Sequence, residues 1–210
     1  MELLIVRHGV AYARDAQRWQ DDGERPLSPR GVTRGRRAAA GLKRLAPQPA
    51  RVLTSPLARA RQTAAILMRF AGWPRATSTP LLLPEASPVA LLALLARTSA
   101  ERVAVVGHQP HLGRLLAACL PGKTAGDAFE LRKLGVALVA FRGAARASHG
   151  KLLWLVPPRL LRAARRSLLK SEAEGRSQCA PDAAAAPAAR RTGRESHTRK
   201  IRARKAIPET

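Results

Sequence analysis

Three short stretches of the sequence bring side chains suited to anions to the ends of apolar runs. In "LLIVRHG" four apolar residues lead straight into Arg7, His8 and Gly9. "TSPLAR" puts Arg59 in the opening turn of a helical-looking segment, and "VVGHQP" puts His108 between another apolar run and a proline. Two guanidiniums supply planar, bidentate donors that match phosphate oxygens. If the three stretches converge, their side chains make a phosphate pocket.

Convergence depends on the elements that carry them. A short apolar run rich in β-branched residues and closed by glycine reads as a strand buried on both faces of a sheet. In open α/β sheets ligands collect beyond the carboxyl ends of the strands, which is where Arg7 and His8 would then lie. "RVLTSP" reads as a second strand, with Ser55 capping and Pro56 opening the helix that follows. "TSTPLLLPE" suggests a short third strand, "PVALLALLAR" a helix, "ERVAVVGH" a fourth strand, and "PHLGRLLAACL" a helix opened by proline. Ser28 is a natural N-cap and Pro29 a natural first residue for a helix through "RGVTRGRRAAAGLKRLA". "GVALVAFR" and "GKLLWLVPP" read as two closing strands of a hairpin joined through Gly143 to Gly150. The pattern is α/β, and helix N-termini at the strand ends favour an anion there.

The composition bounds the rest. A chain of 210 residues, 46% apolar, suffices for one domain with a sizeable core and an appendage. Two cysteines, Cys119 and Cys179, give neither a disulfide framework nor metal spacing. With no signal-peptide core and no stretch near the roughly 20 apolar residues of a membrane span, the chain reads as cytoplasmic, without stable membrane insertion. The net charge of +24 is spread over body and tail and would attract polyanions, with arginine-rich codon usage as the plainer explanation. Residues 1–158 read as the domain and 159–170, "RLLRAARRSLLK", as a basic amphipathic terminal helix. From 171 to 210 large apolar residues almost vanish, as in disordered segments. This tail could contact polyanions through "RKIRARK".

Taken together, "RHG", "SPLARARQTA" and "VVGHQP" in this order resemble the histidine phosphatase (phosphoglycerate mutase-like) superfamily. "RPLSPRG" and "LLPEASP" resemble its SixA-like phosphohistidine phosphatase branch, and the likeness runs from about Met1 to Pro158. It implies a three-layer α/β/α fold, phosphoglycerate mutase-like, with a mostly parallel central sheet. It also implies His8 as nucleophile, with Arg7, Arg59 and His108 holding the phosphoryl group, no cofactor and no metal. A neutral imidazole is a competent nucleophile, and neighbouring arginines disfavour its protonated form.

The same resemblance puts Glu85 where many relatives carry the acid that protonates the leaving group, and Arg25 where an arginine touches phosphate or substrate. Their plainer roles are a loop carboxylate paired with an arginine and a surface arginine. His111 reads as a residue of the helix N-terminus rather than a catalyst. The segment before His108 leaves no room for a lid, so the expected pocket is open. It suits a phosphate displayed on a protein, such as a histidine phosphotransfer domain in signal transduction. A phosphatase of a small or polymeric ester and an anion-binding module using the basic tail are the alternatives.

Overall fold

The computed structural model describes residues 1–122 and 129–164. The rest of the expected terminal helix, from 165, and the whole basic tail lie outside the described residues. Six strands form one sheet: β1 (Glu2–Arg7), β2 (Arg51–Thr54), β3 (Thr77–Ser78), β4 (Arg102–Gly107), β5 (Val136–Phe141) and β6 (Gly150–Val156). Their order is β3-β2-β4-β1-β5-β6. The four strands β3, β2, β4 and β1 run parallel. β5 runs antiparallel to β1 and pairs with β6 as the expected hairpin.

Alternation along the strands builds two cores. Leu3, Ile5, Val103 and Val105 face one side, where they meet Leu91, Leu92 and Leu95 of α3 (Pro88–Ala96) and Leu112, Leu115 and Leu116 of α4 (His111–Cys119). Leu4, Val6, Ala104 and Val106 face the other side. There they meet Ala38, Ala39 and Leu42 of α1 (Pro29–Leu45) and Ala60, Ala64 and Leu67 of α2 (Ala58–Ala71). The molecule is therefore a three-layer α/β/α sandwich. Because side chains alternate with a period of two, a slip of one residue in β1 would exchange these cores.

Ser28 caps α1 as expected, its hydroxyl accepting from the Gly31 amide at 3.1 Å. The buried face of α1 carries glycines and alanines, which allow close approach. A Cβ on Gly41 would stand 1.8 Å from the carbonyl oxygen of Leu161. Leu161 belongs to a helical stretch at 158–164 and is buried in the same core as Leu42. The described part of the terminal helix thus docks on α1, backbone against backbone, and carries the core past Pro158.

Three boundaries differ from the sequence reading. α2 begins at Ala58 rather than Pro56, because the Ser55 amide still donates to Val106 on β4 at 2.9 Å. The Ser55 hydroxyl accepts from Leu57 at 3.3 Å, so it shapes the turn rather than capping the helix. The third strand shrinks to two residues, since Pro80 opens a 3-10 turn capped by Thr79. In α4, Pro110 is the N-cap and His111 the first helical residue.

Candidate active site

The parallel register of β1 and β4 sets Arg7 opposite Gly107. The next residue on each strand is a histidine, so His8 and His108 emerge side by side at the carboxyl edge of the sheet. Their rings lie 4.9 Å apart between centroids, tilted by 50°. The His8 amide donates to Gly107 O at 3.0 Å, and the Leu112 amide to His108 O at 2.9 Å.

The His8 Nδ1 stands 2.7 Å from the carbonyl oxygen of Gly9. A carbonyl only accepts, so Nδ1 carries the proton and Nε2 keeps a lone pair. The Gly9 amide donates to the Thr63 hydroxyl at 3.0 Å, and that hydroxyl donates to the Arg59 carbonyl at 2.7 Å. The loop holding the nucleophile candidate is thereby tied to α2. Burial pushes His8 down to about 3, against the pull of the Gly9 hydrogen bond and with the charges of Arg59, Arg7 and Lys133 acting the same way as burial. His108 is 2% exposed and also pushed to about 3, by burial first and then by His8, Arg59, His111 and Arg7. Both imidazoles are neutral at neutral pH.

The arginines are fixed by one carboxylate and several main-chain oxygens. Arg59 Nη1 donates to Asp22 O at 2.8 Å, and its Nη2 lies 3.3 Å from Asp22 Oδ2. Arg25 donates from Nε to Asp22 Oδ1 and from Nη1 to Tyr12 O, both at 2.7 Å. At 8% exposure Arg25 is buried, not a surface arginine. The hydrogen bond from Arg25, with the charges of Arg59, Arg25 and Arg14, holds the Asp22 carboxyl below its usual range despite some desolvation. Arg7 Nη1 donates to Leu131 O at 2.6 Å, with Glu130 3.7 Å away. Arg7 Nε and both ring nitrogens of His108 are buried without a partner among the described residues. A neutral imidazole donates from one nitrogen only, so an oxyanion beside His8 would offer an acceptor to Arg7 Nε and to the protonated nitrogen of His108.

Glu85 is exposed, between the 3-10 turn Pro80–Leu82 and α3. Its charge is felt by His111, which is fully buried with both ring nitrogens unpartnered among the described residues. Burial and Arg114 hold His111 below its ordinary value, while Glu85 pulls the other way. Sequence reasoning missed Asp22, which joins Arg25 to Arg59, as well as Thr63 and Lys133. The spacing of Asp22 three residues before Arg25 was the available signal. Nothing near Lys133 in the sequence marks it, because its place is set by the turn before β5. Among the described residues no group of three or more His, Cys, Asp or Glu side chains gathers as a metal site requires, and no helix is long and apolar enough to cross a membrane.

Known proteins resemble this chain in sequence and in fold. The sequence model for the histidine phosphatase superfamily (branch 1) matches residues 3–82. The chain is 39% identical over 168 residues to an uncharacterized protein of Picosynechococcus sp., covering 77% of this chain and 99% of that one. Phosphohistidine phosphatase SixA of Escherichia coli is 35% identical over 131 residues, covering 59% of this chain and 77% of the relative. A solved structure of the protein histidine phosphatase SixA complexed with tungstate superposes with a TM-score of 0.67 at 29% identity, over 77% of this chain and 99% of that one. The motifs, the paired histidines at the sheet edge and these relatives agree: the chain belongs to the histidine phosphatase superfamily of hydrolases and is SixA-like.

Proposed function

We propose that this phosphatase removes the phosphoryl group from phosphohistidine on a protein, without a metal ion, through a phosphohistidine formed on His8. The observation that carries this reading is the hydrogen bond between His8 Nδ1 and Gly9 O, which leaves Nε2 free as a nucleophile among buried donors without partners. The Nε2 lone pair forms a bond to phosphorus as the bond from phosphorus to the substrate imidazole breaks. Arg7, Arg59 and His108 hold the equatorial oxygens, and Asp22 braces Arg25 beside Arg59. Water then attacks the phosphorus, the bond to His8 breaks and inorganic phosphate leaves. Cationic side chains supply the charge that a metal would otherwise bring.

The choice of phosphohistidine rests on the leaving group. A substrate imidazole protonated on its distal nitrogen departs as neutral imidazole, whose conjugate acid has a reference pKa of about 6.5, far below that of an alcohol, so it needs little help from an acid. Glu85, exposed at the rim, serves as that acid in this reading. The similarity to a relative named phosphohistidine phosphatase supports the same substrate class. The partner would be a phosphorylated protein such as a histidine phosphotransfer domain.

Rapid-quench incubation with a protein carrying labelled phosphohistidine tests this reading. Wild-type enzyme should hold acid-labile, base-stable label on His8, and His8→Ala should hold none and lose turnover. Label on Ser28 or Ser55, or sugar phosphates or nucleotides turned over in preference to the phosphoprotein, would overturn it.

A further inference from the structure

Residues 132–135 form a tight turn locked to the nucleophile strand. The Gly135 amide donates to Arg132 O at 2.6 Å, closing the turn, with Lys133 and Leu134 as its central residues. Leu134 has φ +68°, a left-handed conformation that a leucine adopts only under constraint. The constraint is visible. Its amide donates to Arg7 O at 3.0 Å and His8 O at 3.3 Å, and its side chain is buried against the α1/α2 core. Gly135 O accepts from the Arg7 amide at 3.1 Å, and Leu131 O accepts from Arg7 Nη1. A Cβ on Gly135 would fall 2.8 Å from Arg132 O, so the turn requires glycine there.

This turn carries Lys133. Among the described residues it has no carboxylate partner. The charges it feels are those of Arg7, Arg25 and Arg59, and His8 feels Lys133 in turn. Lys133 adds positive charge to a region that already holds Arg7, Arg25 and Arg59, and an anion bound there would be attracted by all four. A strained turn that maintains such an arrangement marks a functional constraint.

We propose that Lys133 is a substrate-binding residue, the fourth cation of the pocket, which the clamped turn presents to a peripheral oxygen of the bound phosphoryl group. The assignment deepens the proposed function by adding a contact at the same site. Its lysine stem reaches from an exposed position, so it closes over the phosphoryl group from the solvent side while the arginines hold it from within.

The test uses tungstate, a non-reacting dianion, and measures its dissociation constant by calorimetry at 0.1 M salt for the full chain. Lys133→Met should weaken binding about tenfold, the loss of one charge-assisted hydrogen bond at a partly exposed site. Lys133→Arg should bind within about twofold of wild type. Lys151→Met, which removes one exposed charge from the edge strand β6, sets the scale for a change in net charge alone. Without ligand, the melting temperature of Lys133→Met should equal or exceed that of wild type, because a repulsion has been removed. Equal tungstate affinity in the Lys133→Met and Lys151→Met proteins would overturn the proposal, as would a Lys133→Met protein that melts early. The readout involves no turnover, so tight tungstate binding by an enzyme inactive on phosphohistidine would refute the proposed substrate while leaving the role of Lys133 intact.

Discussion

His8 should make the fold sensitive to mild acid in a way that one substitution removes. Its folded value is about 3 against 6.5 for an exposed imidazole, so below pH 6.5 the unfolded chain takes up a proton that the folded chain refuses. The resulting stability loss starts near pH 6.5 and grows until about pH 3. At pH 5 it amounts to 1.5 units, about 2 kcal/mol, at about 1.4 kcal/mol per unit. His108, pushed to the same value, contributes a similar amount, and His111 acts in the same direction. Asp22 acts outside this window, because a lowered carboxylate gives stability that persists above its unfolded value of 3.8 and is lost only as pH falls below it. Urea unfolding at pH 7.5 and at pH 5 should therefore show wild type losing about 4 kcal/mol or more between the two. His8→Asn, uncharged at every pH, should lose about 2 kcal/mol less over the same interval, whatever its baseline stability. Equal losses in the two proteins would refute a neutral buried His8, and with it the free Nε2 on which the nucleophile assignment stands.

Three shorter expectations concern other parts of the molecule. Arg59→Lys keeps a charge but not the planar fork that spans Asp22 and the pocket, so kcat/KM should fall about 10- to 100-fold with the melting temperature little changed. Gly41→Ala forces α1 away from Leu161 and should cost about 2–3 kcal/mol in urea unfolding while activity at 25 °C persists. A combined Gly41→Ala, Leu161→Ala protein should lose less than the sum of the two single changes, since both undo one contact. Exhaustive EDTA treatment should leave turnover intact, and a loss restored by Mg²⁺ or Zn²⁺ would contradict the charge balance assigned to the arginines.

Residues whose position follows from strand ends were legible in the sequence. Arg7, His8 and His108 sit where apolar runs stop, and parallel pairing of those runs brings them together without further information. Arg59 was legible for a similar reason, in the first turn of the helix that follows β2. The start of α2 was misjudged because Ser55 and Pro56 have cap chemistry, yet the sheet holds the Ser55 amide and delays the helix. Asp22 and Lys133 were opaque because tertiary contacts position them: a guanidinium pair for the first, a turn with a left-handed leucine for the second. Local sequence holds no signature of Lys133, and for Asp22 only its spacing three residues before Arg25. The close docking of residue 161 on Gly41 was similarly invisible, since a glycine in a helix more often means only a weaker helix.

The group that orients the His8 ring is a main-chain oxygen, that of the very next residue, rather than a carboxylate side chain. In enzymes where an aspartate orients a histidine, a single mutation can erase or retune that partner. Here no side-chain substitution can delete the acceptor, so under the proposed mechanism the regiochemistry of phosphoryl attachment, at Nε2 and not at Nδ1, is protected against point mutation. Variation can alter how readily His8 reacts only through what surrounds it: burial, Arg7, Arg59 and Lys133. The nitrogen that bears phosphorus should therefore be the most invariant property of this site under directed evolution, even where substrate preference drifts.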